Sequence, residues 1–486
     1  MRWPSAVSRQ PSVGLLRARA LLSAVAVLAL SSCARQETAK PVAPPPEPLL
    51  AITHVTVVDV AAGRLVADQS VVVRGSRIVQ AGDAARTAVP ANATVVDGTG
   101  KFLIPGLWDM HVHALFDAEV ARTFLPRFVA EGVTGVRDMG GKVAVLRLAR
   151  WAVFAGTLVG PRIVAAGAIL DGPQPVDTSV SIAVGTPEQG VAAVDSLARS
   201  GADFIKVYTL LPRPAYFAIL REAARLHLAV AGHVPGGVTT LEAADSGQKS
   251  IEHLRDEVEP LCTAVDAACG RLLDSLRAHR TWLVPTLVVL RMKALLNDTL
   301  VLKDPRLATV PDLVREGWDG IRARKADSSA GYWRDKRMRY LGELALTAAA
   351  FKAGVPLLAG TDAGALYTYP GSSLHDELVQ LVRAGLTPAA ALRAATLGPA
   401  EFLGATDTLG TVAVGKAADL VLLDADPLSD IRNTRRIRAV VLRGRFFGRE
   451  ALDSLGGVVP EMAVPSLDTA ARRPPAESLP AGPRRF

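Results

Sequence analysis

The chain has 486 residues, 49% of them apolar, with a net charge of +8 and only three cysteines. Four of the positive charges are arginines within the first 32 residues, and removing them takes the net charge from +8 to +4. No basic stripe interleaved with aromatics runs through the rest, which argues against nucleic acid as a partner, and no run beyond residue 32 is long and apolar enough to cross a bilayer.

Arg2, Arg9, Arg17 and Arg19 open the chain with no acidic residue among them, and LLSAVAVLAL follows. That order predicts an export signal over residues 1–32, with an apolar core too short to span a bilayer comfortably. LSSC then ends at Cys33, in the pattern of a bacterial lipoprotein cleavage box. Cutting before Cys33 would free its thiol for lipidation and hold the protein in the periplasm by an N-terminal lipid anchor, its one expected membrane contact. Ala34 after the cysteine, where an aspartate would favour the inner membrane, points to the outer membrane. Residues 33–50 are rich in proline and read as an extended tether.

From 51 to 105 apolar and polar residues alternate, as in AITHVTVVDV and SVVVRGSRIVQAG, with Gly and Asp at the breaks. Residues 408–448 do the same in ADLVLLDADP and IRAVVLRGRFF. Neither block carries enough apolar surface to fold alone, so the two chain ends are expected to share one small composite β-sandwich. Between them, residues 106–407 predict an α/β fold, a (β/α)8 TIM barrel, which takes about 31 residues per strand–helix unit. His113 to Lys206 is 93 positions, Lys206 to His233 is 27 and His233 to His253 is 20. That spacing puts His111 and His113 on strand one, Lys206 on strand four, His233 on five, His253 on six and Asp362 on the last.

His253 to Asp362 is 109 positions, where two units would take about 62. The surplus predicts a helical insertion at about 291–345, following a seventh strand in TWLVPTLVVL (281–290). With Trp318, Arg322, Tyr332 and Trp333 it is expected to form a lid over the mouth. Cys262 and Cys269 lie seven apart in LCTAVDAACG; they either pair in an oxidising compartment, stabilising by about 2–3 kcal/mol, or stay free thiols. Residues 449–486 lack periodicity and are expected to be a flexible tail.

The C-terminal ends of barrel strands meet at one mouth, and alternation along a strand lets His111 and His113 face the same way. HxH, lysine, two further histidines and an aspartate in this order resemble the amidohydrolase superfamily. The flanks IPGLWDMHVH, EGVTGVRDMGG and GTVAVGKAADLVLLDADP agree. Within it the chain, from roughly 50 to 448, is similar to the imidazolonepropionase-related, prolidase-like branch. The resemblance implies two divalent metal ions, zinc by default with manganese, cobalt or iron accepted, held by His111, His113, Lys206, His233, His253 and Asp362. Lys206 would be carbamylated and bridge the pair, since an ammonium there would be repelled and costly to bury. Asp362 would also be catalytic, a general base and then acid toward an amide attacked by activated hydroxide.

Tyr208, Arg255 and His375 are candidates for substrate contacts, set against packing or helix-end roles. HVPGG after His233 lacks the acidic residue three positions on that deaminases of the HxxE type carry, which counts against deamination. The expected activity is hydrolysis of a carbon–nitrogen bond in a small molecule or short peptide, as a dipeptidase or N-acyl amino acid hydrolase. Cyclic amide or lactone hydrolysis is the second reading, and a non-catalytic metal- or ligand-binding lipoprotein is a third from another class. An oligomer is compatible with all three.

Overall fold

The computed structural model describes residues 47–254, 262 and 266–457. The export signal, Cys33 with most of the tether, Arg255 and residues 458–486 lie outside the described residues, whereas 449–457, expected as the start of a flexible tail, form the helix Arg449–Gly457 with Leu452 buried. Among the described residues no helix is long and apolar enough to cross a membrane.

The two ends of the chain join in one eight-stranded mixed sheet. Its seam is the short strand Phe102–Pro105, which pairs parallel with Leu49–Asp59 and antiparallel with Leu420–Leu423. Alternation decides its two faces. Leu50, Ile52, Val71, Val73, Leu103, Leu420 and Leu422 form one apolar cluster, while Ile104, Val421, Leu423, Val440 and Leu442 point the other way and join the main core of the barrel helices. A sheet buried on both sides explains why these strands carry Val and Leu almost continuously.

The barrel strands are parallel and carry the expected order. Strands one to three are Leu107–Val112, Val133–Asp138 and Arg162–Ala165. Strands four to seven are Phe204–Val207, Ala229–Gly232, Gln248–Glu252 and Trp282–Val284. Asp203 links three to four, its N–H donating to the Ala165 carbonyl at 2.9 Å. Strand eight, residues 356–363, bridges Leu357 to Leu283 on one side and Ala363 to Val112 on the other. The α/β, TIM-barrel-like fold with a mixed sheet from both termini is therefore present.

The seventh strand is shorter than its sequence suggests. Trp282–Val284 is the strand, and Leu287–Ala294 is a helix. Pro285 has no N–H for the ladder, and Thr286 turns the chain with φ 48°. Glu377 then accepts from the N–H groups of Leu287 and Val288 at 3.0 and 2.7 Å, capping the new helix. The residues after Pro285 are apolar because they face the core from a helix, with Leu287, Val288 and Val289 buried, rather than from a longer strand. The insertion itself is two 3-10 turns, a helix Asp312–Ala323 and a long helix Ala330–Lys352. Trp318 and Trp333 are buried, and Arg322 donates to the Leu296 carbonyl at 3.2 Å. Cys262 and Cys269 form a disulfide.

Candidate metal centre

Strand one delivers His111 and, one residue past its end, His113; strand eight delivers Asp362. The strands are locked together at this point. The Asp109 carboxylate accepts from the Thr361 N–H at 3.0 Å and hydroxyl at 2.6 Å, and the Asp362 N–H donates to the His111 carbonyl at 2.7 Å. Asp138, at the end of strand two, accepts from the N–H groups of Ala114, Leu115 and Gly140, fixing the turn that follows His113. Burial raises both carboxyls, Asp109 to about 7 and Asp138 to about 6.

One ligand atom each from His111, His113 and Asp362 lies within 4.8 Å of the others. Asp362 Oδ1 is 3.5 Å from His111 Nε2 and 3.4 Å from His113 Nε2. Two ligands bound about 2.1 Å from one ion at a tetrahedral angle are separated by about 3.4 Å. The protons decide what fits between them. His111 Nδ1–H donates to Glu252 at 2.8 Å and His113 Nδ1–H to the Gly140 carbonyl at 3.0 Å. Each Nε2 is thereby left as a bare acceptor, and His111 Nε2 is buried with no hydrogen-bond partner.

Burial pushes His111 down to about 4, so it is neutral at physiological pH. Burial opposes the charge on Asp362, but His111, His253 and His113 more than offset it and hold the carboxyl below its ordinary range. Three acceptors face one another with no proton among them, and a divalent cation fits that set.

The other expected ligands lie at the same mouth without joining this cluster. His253 packs its ring 4.8 Å from that of His111, and His233 lies 5.1 Å from His253. Thr286 donates its hydroxyl to the Pro285 carbonyl at 2.8 Å, so its oxygen accepts the His253 Nδ1–H at 2.6 Å. His233 Nδ1 is held by Thr209 at 2.9 Å. Tyr208 stacks on His233 at 4.1 Å, and Lys206 Nζ lies 5.5 Å from the Tyr208 ring. His253 and Asp362 both have left-handed backbones, φ 63° and 62°, a strain that clusters at functional sites.

The two-ion scheme bridged by carbamylated Lys206 is thus corrected to one cluster of His111, His113 and Asp362. Lys206 ends beside Tyr208 rather than between ions, and among the described residues no second cluster of metal-ligating side chains forms. Zinc is not singled out either, because two imidazoles and a carboxylate also suit iron, cobalt or manganese.

His375 is not at the mouth cluster. It is buried with Nδ1 on Thr434 at 3.0 Å and Nε2 on the Glu131 carbonyl at 3.1 Å, tying its helix, Ser372–Arg383, to neighbouring elements. Three functional residues went unread in the sequence: Glu252, which orients His111; Arg137, whose guanidinium grips Glu252 at 2.8 and 2.9 Å; and Thr286. A carboxylate and a guanidinium inside strands otherwise apolar were the available signal.

Gly364 closes the site from behind. It has φ +105°, and a Cβ there would stand 2.4 Å from the His113 carbonyl, while its own carbonyl accepts the Trp318 indole N–H at 3.0 Å. Gly364→Ala is expected to destabilise the fold by about 1–3 kcal/mol and to weaken metal binding by displacing His113. Thermal denaturation and metal titration measure both, and unchanged metal affinity would show that the contact does not position His113.

A parallel barrel with a His–His–Asp cluster at its C-terminal mouth defines a metal-dependent hydrolase. Residues 102–447 match the Amidohydrolase family, and the chain belongs to that family. The ochratoxinase of Aspergillus niger is 27% identical over 398 residues, 70% of this chain and 73% of that protein. The imidazolonepropionase of Sphingopyxis alaskensis is 25% identical over 382 residues, 75% of this chain and 88% of that protein. The crystal structure of a candidate prolidase from Bifidobacterium longum matches with a TM-score of 0.66 at 27% identity, covering 88% of this chain and 100% of that one. The chain is a metal-dependent amidohydrolase acting on carbon–nitrogen bonds, related to hydrolases of the imidazolonepropionase and prolidase type.

Proposed function

We propose that the protein hydrolyses the amide bond of short peptides or N-acyl amino acids, using one divalent ion held by His111, His113 and Asp362. The observation that carries this reading is the set of three facing acceptors, two of them Nε2 atoms kept bare by hydrogen bonds at Nδ1. A divalent ion bound there supplies a Lewis acid that polarises a carbonyl and acidifies water.

The chain's own groups do the rest. Asp362 takes the proton of the attacking water on its carboxylate and returns it to the departing nitrogen. Glu252 stabilises His111 as a ligand by accepting its Nδ1 proton. Tyr208 offers a hydroxyl toward the carbonyl oxygen as negative charge develops. His253, its Nδ1–H spent on Thr286, presents Nε2 as an acceptor for a substrate N–H.

Chelation should remove turnover of a dipeptide and N-acyl amino acid panel, and adding back one equivalent of divalent metal should restore most of it. Turnover that survives complete demetallation, or that returns only with two equivalents, would sink the one-ion reading.

A further inference from the structure

The loop after strand eight, residues 362–369, closes on itself through its own hydrogen bonds. The Asp362 carbonyl accepts from the Ala365 N–H at 2.9 Å and from the Thr368 hydroxyl at 2.8 Å, and the Thr368 N–H donates to the Ala365 carbonyl at 2.9 Å. Two of the three metal-cluster residues hang on this loop. Asp362 is its first residue, and the His113 N–H donates to the Ala363 carbonyl at 2.8 Å. The loop is strained, since Asp362, Gly364 and Tyr367 have φ 62°, 105° and 52°, and a bulky tyrosine in the left-handed region is an outlier. Such a backbone persists only where its surroundings over-determine it.

Those surroundings are the insertion. Two adjacent residues of the helix Asp312–Ala323 reach the loop at different points. Trp318 donates its indole N–H to the Gly364 carbonyl at 3.0 Å, and its ring lies 5.2 Å from that of Tyr367 and 5.7 Å from that of Tyr369. The Asp319 carboxylate accepts the Tyr367 hydroxyl at 2.8 Å. Arg306, fixed by Asp304 at 2.7 Å and Asp376 at 2.8 Å, places its guanidinium 4.4 Å from the centre of the Tyr369 ring. Tyr367 is buried while Asp319 is exposed. A phenylalanine would fill the same space, so the hydroxyl adds direction rather than volume.

From this geometry we propose that Asp319 is a positioning residue for the metal centre. Through the Tyr367 hydroxyl it holds the loop in the strained shape that keeps Asp362 facing His111 and His113. The link is short, because Tyr367 is followed by Thr368, whose hydroxyl is bonded to the Asp362 carbonyl. The insertion thus acts on the metal ligands through their backbone. The inference rests on the one-ion reading and extends it to residues that touch neither ion nor substrate.

The test titrates cobalt(II), one of the ions this donor set accepts, into the demetallated full-length protein by calorimetry. KM is measured at saturating cobalt for a member of the dipeptide and N-acyl panel that is turned over. Asp319→Ala and Tyr367→Phe should each weaken cobalt binding about 10-fold, as loss of an outer contact to a metal ligand does. The double variant should be within twofold of the weaker single one, and KM should stay within twofold of wild type. Asp319→Asn keeps an acceptor for the hydroxyl and should retain most of the affinity. Alanine suits an exposed helix position and phenylalanine keeps the ring, so both variants should fold.

Cobalt affinity within twofold of wild type in both single variants, with only the thermal midpoint lowered, overturns the positioning role while the one-ion reading stands. Losses that add in the double variant overturn it as well, because the two residues would then act separately. A raised KM with unchanged cobalt affinity replaces it with a substrate lid. Cobalt affinity that Asp362→Asn leaves unchanged overturns the one-ion reading and the inference with it.

Discussion

Replacing Asp362 by asparagine should lower kcat/KM by about 10³-fold or more and leave the purified protein short of metal. A proton acceptor contributes about 10²–10⁴ on its own, and the carboxylate also supplies the only negative charge in the three-residue cluster. Asparagine isolates that chemistry because the backbone here has φ 62°. Asparagine tolerates the left-handed region, whereas alanine would add about 1–2 kcal/mol of strain. The contacts that hold the loop are backbone ones, the Asp362 N–H to the His111 carbonyl at 2.7 Å and the Thr368 hydroxyl to the Asp362 carbonyl at 2.8 Å, so the fold should survive. Elemental analysis, kinetics and thermal denaturation on the same preparation check each part. A variant that keeps its metal and turns over within threefold of wild type would remove Asp362 from the mechanism.

Arg137→Met should cost about 3–5 kcal/mol of stability, the range for stripping one partner from a buried ion pair. Arg137 and Glu252 are both fully buried, and the guanidinium also donates to the Met110 carbonyl at 2.6 Å and the Ser250 hydroxyl at 2.9 Å. Burial raises the Glu252 carboxyl, but Arg137 first and His111 next outweigh it and bring it down to about 2. Its folded value is then below the ordinary carboxylate value. The stabilisation is present above about pH 4.5 and is lost as pH falls toward 2. The variant should lose much of that acid-side slope.

Removing both charges in Arg137→Met/Glu252→Gln should be milder than Arg137→Met alone, since no lone charge remains inside the barrel. Denaturant titrations across pH measure the three proteins. A double variant less stable than Arg137→Met would show that packing, not charge, dominates. Metal affinity should also fall about 10- to 100-fold in variants that lose Glu252, through His111.

The sequence spacing located the strand ends well, because ligand residues recur at intervals the barrel itself imposes. His111, His113, Lys206, His233, His253 and Asp362 all arrive at one mouth. Which donor atoms approach one another was not legible, since that depends on proton placement and side-chain direction. His111 turns its Nε2 to Asp362 only because Glu252 holds Nδ1, and Glu252 is 141 residues away. The helix Leu287–Ala294 was hidden for a related reason, since the run containing TLVVL reads as strand by composition. Trp318 looked like a lid residue; its indole in fact supports the loop behind His113 from the Gly364 carbonyl.

The seam strand Phe102–Pro105 sets the timing of folding on the ribosome. Its antiparallel neighbour pairs Phe102 with Leu423, 321 positions downstream. At about 5–20 residues per second of synthesis, the nascent N-terminal strands wait on the order of tens of seconds before that edge is covered. An uncovered strand edge is a template for pairing with another chain. The interval before termination is therefore when the growing polypeptide most needs a chaperone, and a premature stop ahead of Leu420 would leave the edge open for good.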